Sequence, residues 1–153
     1  ADYLRREDIL LDVDIANKAD LLDAIGRHME QAHSLPRESV SLGLSRRERL
    51  GSTGLGQGVA IPHARVKNLD RILVAYLRPL SPIPFDAPDG EPVSDFLVLL
   101  VPKEATDEHL RILAEAAQMF ADQRFRARLR QCGDASAVKR LFDAWPQSSA
   151  WFE

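Results

Sequence analysis

Apolar and polar positions follow two rhythms along this chain, a helical one at both ends and a strand-like one between them. Over residues 12–34 apolar side chains return at three- and four-residue steps (Leu22, Ile25, Met29 and Ala32), the spacing of one helical face. Asn17 stands where an N-cap belongs. Leu35-Pro36 interrupts the pattern, and proline suits the opening position of a second helix. That helix runs from 36 to about 50, carries Val40 and Leu44 inward, and meets Gly51 as its stop signal. The rhythm then changes. Residues 59–64 form a short apolar segment broken by Pro62, which restricts it to a sheet edge or a strand end. Residues 72–80 read as a second strand, and 96–101 are apolar at every position, as in a strand buried on both faces. The intervening 81–92 hold four prolines and Asp89-Gly90, a loop with room for a short strand at 83–85. Helical spacing resumes at Leu110, Leu113, Ala117 and Phe120, with Thr106 as cap and Asp107 and Glu108 in the first turn. Segments 125–132 and 136–145 complete a helical C-terminal third, and Pro146 closes the last helix. Helices, then strands, then helices predict an α/β fold, a mixed β-sheet covered by helices in a single domain over 1–153. Its core spans about 9–145. A tail, 146–153, carries Trp151 and Phe152 without a clear pattern.

Composition narrows the function. At 153 residues the chain is long enough for one domain that buries roughly 70% of its unfolded surface. An apolar fraction of 45% excludes general disorder. A net charge of -3 with no basic block argues against nucleic acid as a partner. The single cysteine, Cys132, excludes an internal disulfide and a multi-cysteine metal site, which suits a reducing, cytoplasmic setting. No run approaches the ~18–20 apolar residues of a membrane span, so no membrane insertion is expected.

The chemistry must come from few residues. Of four histidines, His28 and His33 fall outside the apolar stripe of the first helix and read as solvated. His63 differs: it follows a proline that stiffens its backbone, and it comes just after four glycines, at 51, 54, 56 and 58. Such glycines let main chain approach a ligand and offer N–H groups to an anion. The loop is not a Walker loop, because no Gly-Lys-Ser/Thr follows, and it precedes a strand where a dinucleotide fingerprint would follow one. A loop histidine capping a carbonyl fits the same spacing. His109 reads by itself as a capping residue in the first turn of its helix. A metal held by His63 and His109 lacks a visible third and fourth ligand, so no metal site is expected. Arg46, Arg47 and Arg49 suit a helix C-terminus, and one guanidinium turned toward His63 would meet an anion there. Ser52 and Thr53 would offer hydroxyls to that anion or hold the turn.

The stretch Ser45-Arg-Arg-Glu-Arg-Leu-Gly-Ser-Thr-Gly-Leu-Gly-Gln-Gly-Val-Ala-Ile-Pro-His-Ala-Arg65 resembles the phosphorylation-site motif of the fructose/mannitol-type IIA domains of the bacterial sugar phosphotransferase system. The wording is most similar to that of the stand-alone nitrogen-regulatory IIA proteins. Pro84-Phe85-Asp86, the segment ending Leu100-Val-Pro102, and Glu108-His-Leu110 also fit, so the similarity covers nearly the whole chain. The resemblance implies a mixed β-sheet flanked by helices on both faces. It implies that His63 accepts a phosphoryl group from a phosphorylated HPr-like carrier, that Arg47 supports the phosphate, and that His109 is the second active-site histidine. Ser52, Thr53 and Gly54 match the motif and are phosphate-loop candidates. A phosphotransferase of this type uses no cofactor and no metal, since its donor is another phosphohistidine. It would signal by binding regulatory targets, such as potassium-transport or sensor-kinase components. A sugar-transport IIA passing phosphate to a separate IIB protein is the alternative, and a binding module that is never phosphorylated is a second. Leu55, Val66 and Leu69 are candidates for an apolar docking ring around His63, unless they belong to the core.

Overall fold

The computed structural model describes residues 4–104 and 107–144. Their order is β1 (Leu4–Val13), α1 (Lys18–His33), α2 (Arg37–Arg49), β2 (Gly54–Gly56), β3 (Val59–Ala60), β4 (His63–Val66), β5 (Leu73–Pro79), β6 (Asp95–Pro102), α3 (Asp107–Ala121), α4 (Gln123–Gln131) and α5 (Ala135–Ala144). Thr106, expected as a cap, and the tail with Trp151 and Phe152 lie outside the described residues.

The sheet is mixed and ordered β1-β5-β6-β3-β2, with β4 also paired to β6. β6, with its apolar run 96–101, lies at its centre, antiparallel to β5 and parallel to both β3 and β4. Alternation along β5 and β6 sends side chains to two separate cores. Leu73, Ala75, Leu77, Phe96, Val98 and Leu100 pack under α1 and α2. Val74, Tyr76, Leu97 and Leu99 pack against α3, α4 and α5. Helices thus cover both faces. Each fully buried Leu, Ile or Phe contributes about 1.5–3 kcal/mol of transfer free energy.

Several local expectations hold. Asn17 caps α1 by accepting the Asp20 N–H at 2.8 Å. Ser34, at φ 58°, ends α1 with its N–H on the Glu30 carbonyl, and the Leu35 N–H reaches Met29. Pro36 is the N-cap of α2, so the helix begins at Arg37, one residue after the expected start. The loop strand expected at 83–85 reduces to one antiparallel bridge, Ile83 to Val93.

Four expectations are corrected. β1 was not expected, because Arg5-Arg6-Glu7-Asp8 hides its alternation. It starts at Leu4, ahead of the core boundary placed near residue 9. The glycine-rich loop is partly a hairpin: β2 pairs antiparallel with β3 around Gln57-Gly58, both at positive φ as a tight turn of this hand requires. The α1 stripe includes Leu21 and leaves Ala32 exposed. In α3 the buried line is Ile112, Ala116, Met119 and Phe120, while Leu110 is 53% exposed, because a second apolar face of this helix borders a cleft.

His28 and His33 are not solvated. Nε2 of each meets the same Oδ1 of buried Asp8, at 2.7 and 2.8 Å. Helix spacing could not show this, because the partner lies on β1.

Helices α1 and α2 cross closely at Gly26. A Cβ there would lie 2.4 Å from Ser41 Oγ and 3.0 Å from the Arg37 carbonyl. Gly26→Ala should therefore destabilise the chain by about 1–3 kcal/mol in urea melts, although alanine is the better helix former. A variant at least as stable as wild type would contradict this packing.

Candidate active site

The site is built where one sheet edge breaks. β3 and β4 lie end to end along β6: Val59 and Ala60 pair with Asp95 and Phe96, and His63 to Val66 pair with Leu99 to Pro102. Pro62 stands in the seam. Its missing N–H is lost where no ladder bond is needed, and its carbonyl still accepts the Leu99 N–H at 3.0 Å. The Ile61 N–H donates to the Thr53 carbonyl at 3.1 Å, which leaves the Ile61 carbonyl facing His63.

That carbonyl fixes the histidine tautomer. Nδ1 of His63 lies 2.9 Å from the Ile61 oxygen, and a carbonyl can only accept, so Nδ1 carries the hydrogen. In the neutral ring Nε2 then bears the lone pair. It receives Nε–H of Arg47 at 3.2 Å. The same guanidinium donates from Nη1 to the Gly51 carbonyl at 2.8 Å, so Arg47 is held by two bonds of its fork. Burial pushes the His63 pKa below its ordinary value of 6.5. The Ile61 carbonyl works against that shift, Arg47 reinforces it, and Glu48 opposes it weakly. The net result is a half-buried imidazole that is neutral at pH 7, with a defined nucleophilic nitrogen.

Glu48 organises the turn that presents Arg47. It continues the inward line of Val40 and Leu44 and is buried with them. Its carboxylate accepts the Thr53 N–H at 3.2 Å and the Thr53 hydroxyl, and Lys18 Nζ lies 3.5 Å away. A buried carboxylate bonded in this way costs far less than an unpaired one. Ser52 donates to the Phe85 carbonyl at 2.8 Å and accepts the Gly54 N–H at 3.0 Å. Gly54 lies against Ala87, whose Cα would be 3.0 Å from an added Cβ. Ser52, Thr53 and Gly54 therefore hold the turn through bonds and contacts within it, and none of them lines the cleft at His63.

That cleft encloses ≈ 370 Å³ between α2 and α3. His63 and His109 both line it, so the fold brings to one cleft two histidines 46 positions apart in the sequence. Arg46, Arg47 and Arg65 give it a cationic side, and Leu50, Leu110 and Leu113 an apolar one. Leu50 is 84% exposed. The docking ring named from sequence changes accordingly. Val66 and Leu69 are core residues, and Leu55, though exposed, borders a different groove. Leu50 and Leu110 take their place beside His63. Glu48 and the two leucines are the residues that sequence reading missed. The four-residue step from Val40 through Leu44 to position 48 was the available signal for the first. Chemically, a neutral nitrogen nucleophile beside fixed guanidinium donors suits an acceptor of a dianionic group.

Residues 2–145 match the family model described as "Phosphoenolpyruvate-dependent sugar phosphotransferase system, EIIA 2". A nitrogen regulatory protein of Pseudomonas aeruginosa is 38% identical over 135 residues, 86% of each chain. The crystal structure of the nitrogen regulatory protein IIA-Ntr from Neisseria meningitidis superposes with a TM-score of 0.86 at 41% identity, covering 91% of this chain and 95% of that one. The mannitol IIA of Escherichia coli, solved in a complex with phosphorylated mannitol IIB, shares the fold with a TM-score of 0.76 at 18% identity, covering 92% and 99%. By sequence match and by fold together, this chain belongs to the EIIA 2 family of the phosphoenolpyruvate-dependent sugar phosphotransferase system.

Proposed function

We propose that the chain is a regulatory phosphocarrier whose acceptor is Nε2 of His63. The observation that carries this reading is the fixed tautomer: Nδ1–H on the Ile61 carbonyl and Nε2 under the Arg47 guanidinium. The donor is a phosphorylated HPr-like carrier. In the transfer, the P–N bond of the donor phosphohistidine breaks and its electron pair returns to the donor ring, while Nε2 of His63 forms the new P–N bond. No proton has to move, because Nδ1 keeps its hydrogen throughout. Phosphoryl transfer of this kind relies on positioning and charge stabilisation. Arg47 and His109 meet the phosphoryl oxygens, and Ser52, Thr53 and Gly54 hold the turn behind them.

The regulatory assignment is supported by the nitrogen regulatory relatives, at substantial identity along most of the chain. Phosphorylation at His63 then changes the charge of the face that includes Leu50 and Leu110, and target proteins bind according to that state. The setting is the cytoplasm, and among the described residues no helix is long and apolar enough to cross a membrane. The domain extends over the whole chain. The second reading, phosphate passing to a separate IIB protein, is favoured by the fold shared with a mannitol IIA that was solved with its IIB.

Incubation with the labelled carrier tests the proposal. Acid-labile, alkali-stable label should map to His63. It should pass poorly to a sugar-specific IIB, and efficient passage would favour the second reading. The pH profile gives a further prediction. Only the neutral ring accepts phosphate, and the folded ring titrates below 6.5. The acceptance rate should be flat through neutral pH and fall on the acid side, with a one-proton midpoint below 6.5. A midpoint above 6.5 would contradict the site geometry.

A further inference from the structure

Asp8, His28 and His33 bring together three donors of the kind that bind transition metals. Oδ1 of Asp8 lies 2.7 Å from Nε2 of His28 and 2.8 Å from Nε2 of His33. All three ligand atoms lie within 4.8 Å of one another. They come from two elements and owe their meeting to irregular backbone. Between the pairs Leu4↔Val74 and Ile9↔Tyr76, β1 advances five residues while β5 advances two. Such a bulge re-aims side chains, and here buried Asp8 is turned to the last turns of α1. His33 is the final residue of that helix. The cluster is separate from the cleft at His63 and shares no residue with it.

We propose that Asp8, His28 and His33 form a binding site for a first-row divalent metal ion, Zn2+ foremost, that clasps β1 to α1. Two imidazole nitrogens and one carboxylate oxygen are a borderline-soft donor set suited to such an ion. Tetrahedral bonds of about 2.0–2.1 Å separate ligand atoms by about 3.3 Å, so each contact widens by roughly half an ångström when the ion enters. The ion replaces both N–H···O bonds. Each neutral ring moves its hydrogen from Nε2 to Nδ1, and the carboxylate stays ionised, so no proton is released from neutral rings. A water completes the fourth position. The side chains are 13% exposed at His28, 7% at His33 and 3% at Asp8, which opens the site on the His28 side and leaves the carboxylate shielded.

The full chain should bind one equivalent of Zn2+ in calorimetry. Co2+ should give the intense visible band of a low-coordinate nitrogen-ligated centre. Replacing residues behind the ligands of metal sites costs about 10–100-fold in affinity, so removing a ligand in His28→Gln or His33→Gln should weaken binding at least 100-fold. His63→Ala and His109→Gln should bind as wild type does. At a hundredfold excess over Kd, Zn2+ should raise the Tm by about 5 °C or more. Should a ligand variant fail to fold, ring 15N shifts of the wild-type chain still decide: His28 and His33 should move with one equivalent of Zn2+. No band in the wild type, equal affinity in the ligand variants, or shifts confined to His63 and His109 would each overturn the proposal.

Discussion

His63→Ala should take up no phosphoryl group from the phosphorylated carrier under conditions in which the wild type is fully labelled. The loss is complete because the acceptor nitrogen belongs to this ring and is prepared by its contacts. Nδ1 of His63 is committed to the Ile61 carbonyl, and Nε2 faces an arginine that is itself tied to Gly51. The fold should survive. The ring makes one main-chain bond, of a kind worth about 1 kcal/mol, so melting should shift only slightly. Labelling of His63→Ala at the wild-type level would move the acceptor elsewhere in the cleft, with His109 the first place to look.

The next largest effect should follow removal of the guanidinium. Arg47→Ala should slow transfer about 100-fold, the size seen when one fixed donor to a developing anion is lost. Arg47→Lys should recover little of it, because the two bonds of 3.2 and 2.8 Å depend on the planar fork of arginine. A second signature separates this role from a structural one. Arg47 helps to hold the His63 pKa down, so in Arg47→Ala the acid limb of the rate profile should move to higher pH. His109→Ala should slow transfer without moving that limb comparably. Wild-type rates in both variants would remove these residues from the chemistry.

Reading from residues worked best where one rule decided the outcome. The uninterrupted apolar run of β6 could only be a central strand, and Asn17 could hardly be other than a cap. Pro62 correctly pointed to a strand end, since it falls between β3 and β4. It failed where distant segments decide. β1 is bulged and carries four consecutive charged residues, and its burial is set by β5 and α5, both far along the chain. His28 and His33 looked solvated because the carboxylate they meet lies on that unrecognised strand. In α3 two apolar faces compete, and periodicity alone could not tell which one meets the sheet and which borders the cleft. The site followed the same division. His63 and Arg47 were legible from their motif, whereas the partnership of Glu48 with Thr53 and the exposed leucines of the rim required the folded chain.

The broken sheet edge has a consequence for how other proteins can touch this one. A continuous exposed strand invites another chain to add to the sheet, by intention or by aggregation. Here no such invitation is open beside Nε2 of His63. On this side the edge is made of β2, three residues long and paired outside β3, and β4, four residues long; Pro62 separates β3 from β4, and α2 lies over β4. The opposite edge, β1, is interrupted twice in register and shows Arg5, Arg6 and Glu7 to solvent. Any protein that exchanges phosphate with His63 must therefore recognise side chains and shape, and can leave without unzipping a hydrogen-bonded ladder. Contacts of that kind dissolve quickly, which is what a relay visited by one partner after another requires.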